Sequence, residues 1–165
     1  MKTYTFRRIQ RLPIGLEPAW EFFSDPRNLA RITPPGLGFT ITSELPGRVY
    51  PGLIIAYRIR PLLGLPVSWV TEITHLREPH FFVDEQRAGP YRFWHHQHVL
   101  RDTGLGVEVT DIVHYALPFG LLGRLANVLV VARRLKEIFD YRERVLQRLF
   151  AMPAPAAAPH SERKP

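Results

Sequence analysis

Two histidines and two aspartates are the residues of this sequence whose types and spacing fit chemistry. His96 and His98 are separated by one residue, and Asp84 and Asp111 lie in the segments before and after them. Side chains two residues apart on a β-strand point to the same face, so both imidazoles would share a face. Imidazole and carboxylate groups held together can bind a polar ligand, coordinate a metal ion or transfer a proton. The elements that carry them decide between these roles.

The stretch from residue 81 to 117 is predicted to form three consecutive antiparallel strands. Clusters of turn-forming residues at 88–90 and 102–104 interrupt runs that are rich in β-branched and aromatic residues. Strands joined by such turns are neighbours in a sheet, so their order follows. In the register centred on these two turns, Asp111 lies directly opposite His96.

The alternation of side chains divides this stretch into two faces. One face carries Glu85, Arg87 and Glu108, and because unpaired charges are costly to bury, this face is predicted to be the outer one. The other face combines apolar side chains with a few polar groups, which suits a ligand cavity better than a dry core. Its predicted members include Asp84, Gln86, Trp94, His96, His98, Asp111, Val113 and Tyr115.

Composition favours one ordinary domain in a reducing compartment. The chain has 165 residues, of which 45% are hydrophobic, and it contains no cysteine. No secretory signal and no apolar run of about 20 residues are recognisable, so a soluble, cytoplasmic protein is expected. The net charge of +7 permits an anionic partner, but the arginines are dispersed and no nucleic-acid motif accompanies them. No nucleic-acid partner is predicted, and the sequence carries no signal for the oligomeric state.

The order of predicted elements indicates an α+β fold. A first strand is followed by two short helices, six strands and a long amphipathic helix from about residue 122 to 150. A curved, seven-stranded antiparallel sheet that wraps around this helix would bury one face of each. The domain is therefore expected to cover residues 1–150, and the Pro- and Ala-rich tail at 151–165 is expected to be disordered.

The remaining cavity residues are predicted from strands and from the helix. The apolar stripe of the helix presents Leu129, Ala132 and Phe139 to the sheet. Tyr57 and Trp69 lie on inward-facing positions of two earlier strands, and Tyr91 follows a turn at the predicted rim. Two apolar loops, 61–66 and 118–125, lie at strand ends; they could gate the cavity, contact a membrane transiently, or pack on each other.

Three segments of the chain resemble a known superfamily. They are DPRNLARITPP at 25–35, the pattern F-x-D-E-Q-x-x-G-P-Y-x-x-W-x-H-x-H from Phe82 to His98, and D-x-V-x-Y-x-L-P-x-G-x-x-G from Asp111 to Gly123. These segments and the element order resemble the SRPBCC superfamily, which includes START domains, birch-pollen allergens and polyketide cyclases, and within it a bacterial ligand-binding subfamily. The resemblance implies a helix-grip fold that holds a hydrophobic molecule between sheet and helix. It implies no metal, no cofactor and no catalytic residue set.

Two classes of function remain open at this stage. The first is binding of a small lipid-, quinone- or polyketide-like molecule whose polar end meets the histidines and acids. The alternative is a cyclase- or dehydratase-type enzyme in which His96 or His98 acts with Asp111, because paired imidazole and carboxylate groups transfer protons. An accessory module that acts on a membrane or a protein partner is a further alternative. Binding is favoured, since a structural Asp–His pair has the same sequence pattern as a catalytic one.

Overall fold

The computed structural model of the protein describes residues 1–60 and 64–151. Part of the first apolar loop, residues 61–63, and residues 152–165 of the tail predicted at 151–165 lie outside the described residues.

The strands form one antiparallel sheet. Its hydrogen-bonded order is β1-β7-β6-β5-β4-β3-β2, with seven strands in total, so the first and last strands in the chain are neighbours. The predicted α+β sheet of seven strands is thereby confirmed. The strands are β1 (Tyr4–Leu12), β2 (Thr40–Ile41), β3 (Ile54–Ile59), β4 (Val67–Arg77), β5 (Phe81–Ala88), β6 (Phe93–Asp102) and β7 (Val107–Ala116).

Two short helices follow β1, as predicted, and a long helix closes the described chain. Helix α1 spans Leu16–Ser24, and a 3₁₀ helix spans Pro26–Ala30. The Asp25 side chain caps the 3₁₀ helix by accepting the backbone N–H of Arg27 at 2.9 Å. A further 3₁₀ turn covers 35–37. The C-terminal helix consists of α2 (Gly120–Ala126), a π-helical segment (Asn127–Val131) and α3 (Ala132–Leu149).

The π-helical segment rotates the first half of this helix relative to the predicted stripe. Because a π-helix has more residues per turn than an α-helix, the residues that face the sheet are spaced four positions apart, at 123, 127, 131 and 135. Asn127 is buried and accepts a hydrogen bond from the Tyr115 hydroxyl at 2.9 Å, which fixes this rotation. Leu129 and Ala132 are therefore exposed on the helix surface, and their predicted orientation toward the sheet is wrong.

The register of β6 and β7 differs from the prediction by two residues. Asp111 lies opposite His98, and His96 lies opposite Val113. The turn that joins the strands is centred one residue later than predicted, since Thr103 closes it by donating its hydroxyl to the Gly106 carbonyl at 2.8 Å. A shift of two residues leaves every side chain on its face. The predicted inward face is therefore correct, whereas the predicted pairing of His96 with Asp111 across the strands is wrong.

The helices and the sheet enclose two apolar clusters. The larger one joins α1 to the sheet and to the end of α3 through residues such as Trp20, Leu100 and Leu146. The smaller one lies under the start of α3, around Val113 and Phe139. The His and Asp side chains singled out in the sequence lie between these clusters, on the three neighbouring strands β5, β6 and β7.

Candidate functional site

Four side chains from β5, β6 and β7 form a closed ring of short contacts. His96 lies between both acids, with Nδ1 at 3.2 Å from Asp84 Oδ2 and Nε2 at 2.9 Å from Asp111 Oδ1. His98 does the same with its nitrogens exchanged, since Nε2 lies 2.8 Å from Asp84 Oδ2 and Nδ1 lies 3.1 Å from Asp111 Oδ1. The two imidazole rings are 3.8 Å apart between centroids. We call these four residues the His–Asp cluster.

Burial and opposite charge act against each other in this cluster. Burial alone lowers the pKa of His96, but the Asp84 and Asp111 carboxylates outweigh it and raise the pKa to about 9. Burial would raise the pKa of Asp84, yet the neighbouring His96 and His98 imidazoles hold it below its ordinary range. The pKa of Asp111 lies well below its ordinary range for the same reason, with Arg142 as an additional positive neighbour. Both acids are therefore carboxylates and His96 is positively charged near neutral pH.

Two further side chains contact the carboxylates. The indole N–H of Trp94 donates to Asp84 Oδ1 at 3.3 Å. Arg142, which is buried, reaches from α3 toward Asp111 Oδ1 with Nη1 at 3.5 Å, and its guanidinium lies 4.6 Å from the centre of the Phe139 ring. The cluster is thus held from the sheet and from the helix.

A cavity of about 550 Å³ separates the sheet from the C-terminal helix. Its volume falls within the range of small-molecule sites, roughly 300–1,000 Å³. Asp84, His96 and His98 border it, whereas Asp111 lies behind them and does not. Most of the other bordering side chains are aliphatic or aromatic, so the cluster provides a localised polar end in an apolar cavity.

Aromatic rings form the wall next to the cluster. Trp69 stacks on Tyr57 at 5.9 Å between centroids and meets Trp94 edge-on at 5.2 Å, and Tyr91 lies 4.8 Å from Trp94. The Tyr57 hydroxyl is paired with the Thr71 hydroxyl at 2.8 Å. Burial raises the pKa of both Tyr57 and Tyr91, which keeps these phenols neutral.

The structure brings most of the predicted site residues to this cavity. Those that border it are Tyr57, Trp69, Asp84, Tyr91, Trp94, His96, His98 and Phe139. Those that do not border it are Gln86, Asp111, Val113, Tyr115, Leu129 and Ala132. Gln86 instead holds Tyr91 in place, because its amide donates to the Tyr91 carbonyl at 2.7 Å and accepts the Tyr91 N–H at 3.2 Å. Val113 and Tyr115 are buried beneath the helix.

Sequence reasoning missed two parts of the site. Arg142 was not among the predicted residues, although it lies three positions after Phe139 and four before Leu146, a spacing that places it on the inward stripe. The wall formed by the short helices, with Phe22, Leu29, Ile32 and Leu37, was also missed. Nothing in the sequence pattern of that region distinguishes cavity lining from ordinary core.

The first half of the C-terminal helix exposes an apolar surface beside the cavity. Six of its side chains are between 57% and 80% exposed, namely Phe119, Leu121, Leu122, Leu125, Val128 and Leu129, and we call them the helix patch. Two of them, Phe119 and Leu122, also border the cavity. Phe119 has a φ of 65°, a left-handed conformation that costs energy for a bulky residue. In the residues described here, no helix combines the length and apolarity that a bilayer crossing requires.

The antiparallel sheet, the long C-terminal helix and the cavity between them define the class as an α+β helix-grip architecture. Solved structures share this fold. A protein from Chromobacterium violaceum matches with a TM-score of 0.67 at 14% identity, over 90% of this chain and 99% of the other. Major latex-like protein 151 from Panax ginseng matches with a TM-score of 0.65 at 13% identity, over 91% and 99%. Protein Ms6760 from Mycobacterium smegmatis matches with a TM-score of 0.62 at 16% identity, over 90% and 98%. The sequence matches no protein-family model and no curated protein.

Proposed function

We propose that this protein binds a small hydrophobic molecule that carries a hydrogen-bond acceptor at one end. The observation that carries the proposal is the apolar cavity of about 550 Å³ with one concentrated polar region at the His–Asp cluster. Burial of an apolar body contributes about 25 cal/mol per Å², and the few polar groups orient the molecule. We also propose that the chain belongs to the SRPBCC superfamily. Its fold and its three motif segments support this assignment.

The acceptor end is inferred from two buried donors that belong to residues bordering the cavity. Trp69 Nε1 and Arg142 Nε are buried and have no hydrogen-bond partner among residues 1–60 and 64–151, and both residues border the cavity. A buried donor without a partner costs about 1–3 kcal/mol, so a ligand oxygen that accepts from it gains affinity. Carbonyl, carboxylate and quinone oxygens meet this requirement, and an aliphatic chain without an acceptor does not.

Ligand binding is tested by filling the cavity. Ile138 borders the cavity on a half-buried position of α3, so an Ile138→Trp substitution reduces the available volume without a change in the deep core. Displacement of 1-anilinonaphthalene-8-sulfonate by fatty acids, sterols and prenylated quinones measures affinity. We expect Ile138→Trp to weaken binding at least 10-fold, and Ile9→Trp, which adds the same ring on the outer face of β1, to leave it unchanged.

Equal affinities of both tryptophan variants, or no displacement by any member of the panel, would contradict the proposal.

A separate experiment tests whether the ligand needs a hydrogen-bond acceptor. Trp69→Phe removes one donor and is expected to weaken an acceptor-bearing ligand about 3- to 10-fold, because a hydrogen bond contributes about 0.5–1.5 kcal/mol. A ligand of the same shape without the acceptor should bind both proteins equally.

A second candidate function, delivery or uptake of this ligand at an anionic membrane, is favoured by the helix patch. Its six apolar side chains lie on the surface beside the cavity, which Phe119 and Leu122 border. The exposed Arg124, Arg133 and Arg134 accompany them. Apolar side chains that are flanked by arginine bind the interface of a bilayer with acidic lipids. We propose that the helix patch contacts such a surface, which would place the cavity next to the source of a hydrophobic ligand.

The cyclase or dehydratase alternative has less support. Proton transfer to a ligand requires a nitrogen or oxygen that is free to reach it. Both nitrogens of His96 are already engaged with Asp84 and Asp111. Nε2 of His98 is engaged with Asp84, and its Nδ1 lies next to Asp111, which does not border the cavity.

A further inference from the structure

One nitrogen of each imidazole in the His–Asp cluster converges on the same oxygen of Asp84. A neutral imidazole has a single N–H. His96 carries a proton on each nitrogen in the absence of a metal. A metal that displaces the protons from His96 Nδ1 and His98 Nε2 would leave each ring one N–H, on the nitrogen that lies 2.9 or 3.1 Å from Asp111 Oδ1. His96 Nδ1 and His98 Nε2 lie 3.2 and 2.8 Å from Asp84 Oδ2. A divalent cation that takes the place of the protons between these three atoms would satisfy all of them as ligands.

The three ligand atoms lie close enough together to hold one metal ion. His96 Nδ1, His98 Nε2 and a carboxylate oxygen of Asp84 lie within 4.8 Å of one another. In a tetrahedral site with bonds of about 2.0–2.2 Å the ligand atoms are about 3.3–3.6 Å apart. The contact of 3.2 Å from Asp84 Oδ2 to His96 Nδ1 is close to this separation, and the contact of 2.8 Å to His98 Nε2 needs to open by about 0.5–0.8 Å. Two imidazoles and one carboxylate without thiolate are typical ligands of Zn²⁺, Fe²⁺ and Co²⁺.

Two groups of residues surround the site: those that could bind the ion, and those that orient the binding side chains. Asp84, His96 and His98 border the cavity, whereas Asp111 lies behind both imidazoles. Histidines that bind metals donate their other N–H to a carboxylate, and Asp111 Oδ1 lies within reach of both. Trp94 fixes the second oxygen of Asp84 at 3.3 Å, and Arg142 compensates the charge of Asp111.

We propose that Asp84, His96 and His98 form a binding site for one divalent transition-metal ion at the polar end of the cavity. His96 would bind through Nδ1, His98 through Nε2 and Asp84 through Oδ2, and Asp111 is the positioning residue for both imidazoles. The open coordination positions face the cavity. The site does not rest on the proposed hydrophobic ligand, because its ligand atoms all belong to the protein.

A second observation independently supports a ligand at this position. His98 is 8% exposed, and its Nδ1 has no hydrogen-bond partner among the described residues, although it lies 3.1 Å from Asp111 Oδ1. In a purely hydrogen-bonded network the most buried nitrogens would be the best satisfied. A metal on Nε2 leaves the proton of His98 on Nδ1, where only a small rotation of the ring is needed to donate to Asp111.

The test uses the untagged full-length chain after treatment with a chelator. Titration with Zn²⁺ by calorimetry is expected to give one equivalent per chain, and Co²⁺ is expected to give the visible absorption of a low-coordinate N/O site. Asp84→Asn and His98→Gln should each weaken Zn²⁺ at least 100-fold, and Asp111→Asn about 10- to 100-fold. His95→Gln is the matched control, because His95 is on the outer face of the same strand, 2.6 Å from Glu85, and should bind as the wild type does.

Three results would overturn the site: no stoichiometric Zn²⁺ binding by the wild type, binding that persists in Asp84→Asn and His98→Gln, or equal loss in His95→Gln. If the cluster variants fail to fold, X-ray absorption of the Zn²⁺-loaded wild type decides, since two imidazoles and a carboxylate oxygen are expected around the ion and a different set contradicts the assignment. None of these measurements requires the hydrophobic ligand, so a failure here is distinct from a failure of the proposed binding function.

Discussion

A single charge in the helix patch should abolish most of the membrane affinity that we propose. Leu121 is suited to this test because it is 77% exposed and does not border the cavity. Full burial of a leucine side chain contributes about 1.5–3 kcal/mol, so moving the exposed part of Leu121 into a bilayer interface contributes roughly 1–2 kcal/mol. An aspartate at this position loses that contribution and adds about 1 kcal/mol of repulsion from acidic lipids. Leu121→Asp should therefore lower partitioning roughly 30-fold or more.

The assay is sedimentation with vesicles of phosphatidylcholine that contain increasing fractions of phosphatidylserine. Leu105→Asp is the matched control, because Leu105 is 94% exposed in the turn between β6 and β7. The ten residues of β7 separate this turn from the helix patch by about 30 Å. Arg124→Gln should reduce binding about fivefold on acidic vesicles and leave binding to neutral vesicles unchanged, since each basic residue near an acidic surface contributes about 1 kcal/mol.

The membrane proposal is refuted if Leu121→Asp and Leu105→Asp reduce partitioning equally, or if the wild type does not sediment with acidic vesicles. Sedimentation velocity of the wild type without lipid distinguishes a third outcome. Self-association that Leu121→Asp abolishes, without vesicle binding, would assign the helix patch to contacts between copies of this chain and also reject the membrane.

Two further predictions concern the helix rotation and the buried charges. Tyr115→Phe leaves the buried Asn127 oxygen without its donor and should lower the free energy of unfolding, measured by urea titration, by about 1–3 kcal/mol. The double variant Tyr115→Phe with Asn127→Leu should recover much of this loss. Tyr50 is exposed, so the control Tyr50→Phe should change the free energy of unfolding by less than about 0.5 kcal/mol. In chelator, the pKa of His96 is raised to about 9, so its contribution to stability is complete below about pH 6.5 and is lost as the pH rises toward 9. Urea midpoints should fall across that interval, and His96→Gln should remove this fall. Among the described residues, the titratable groups in contact with His96 are Asp84, Asp111 and His98, and Arg142 lies next to Asp111.

The strand pattern predicted the faces of the sheet because alternation tolerates errors in register. The pairing of β6 with β7 was displaced by two residues, yet Asp84, His96, His98 and Asp111 still came together. Three neighbouring strands bring these side chains close at either register, and contact between His96 and Asp111 runs diagonally. An error of one residue would have separated them onto opposite faces.

The helix could not be predicted as well, since its rotation depends on tertiary contacts. An uninterrupted α-helix has a fixed period, but the π-helical segment changes the period over five residues. The apolar residues Leu125 and Leu129 indicated a stripe that the structure exposes, and the polar Asn127 is buried because Tyr115 provides its hydrogen bond. Binary patterning has no means of recognising a buried amide whose partner lies on a distant strand.

The assignment of a metal site also required interatomic distances, which the sequence does not provide. From the sequence, the resemblance implied no metal, and two histidines beside acids were interpreted as ligand-contacting groups or as part of a hydrogen-bonded network. The geometry separates the roles, because Asp84 approaches one nitrogen of each ring and Asp111 approaches the other. This division between a cavity-facing acid and a concealed one has no counterpart in residue spacing.

The same residue types occur on both faces of the sheet, and their surroundings decide what they can do. On the outer face His95 and Glu85 lie 2.6 Å apart, but both are partly solvated, and such a pair contributes about 0–1 kcal/mol. On the inner face the equivalent groups are buried beneath a helix and next to an apolar cavity, where water does not screen their charges and unmatched acceptors are costly. A cation or the polar end of a ligand therefore has far more to gain at Asp84, His96 and His98 than at the outer pair. If the outer pair bound either with similar affinity, burial would not be the origin of the site.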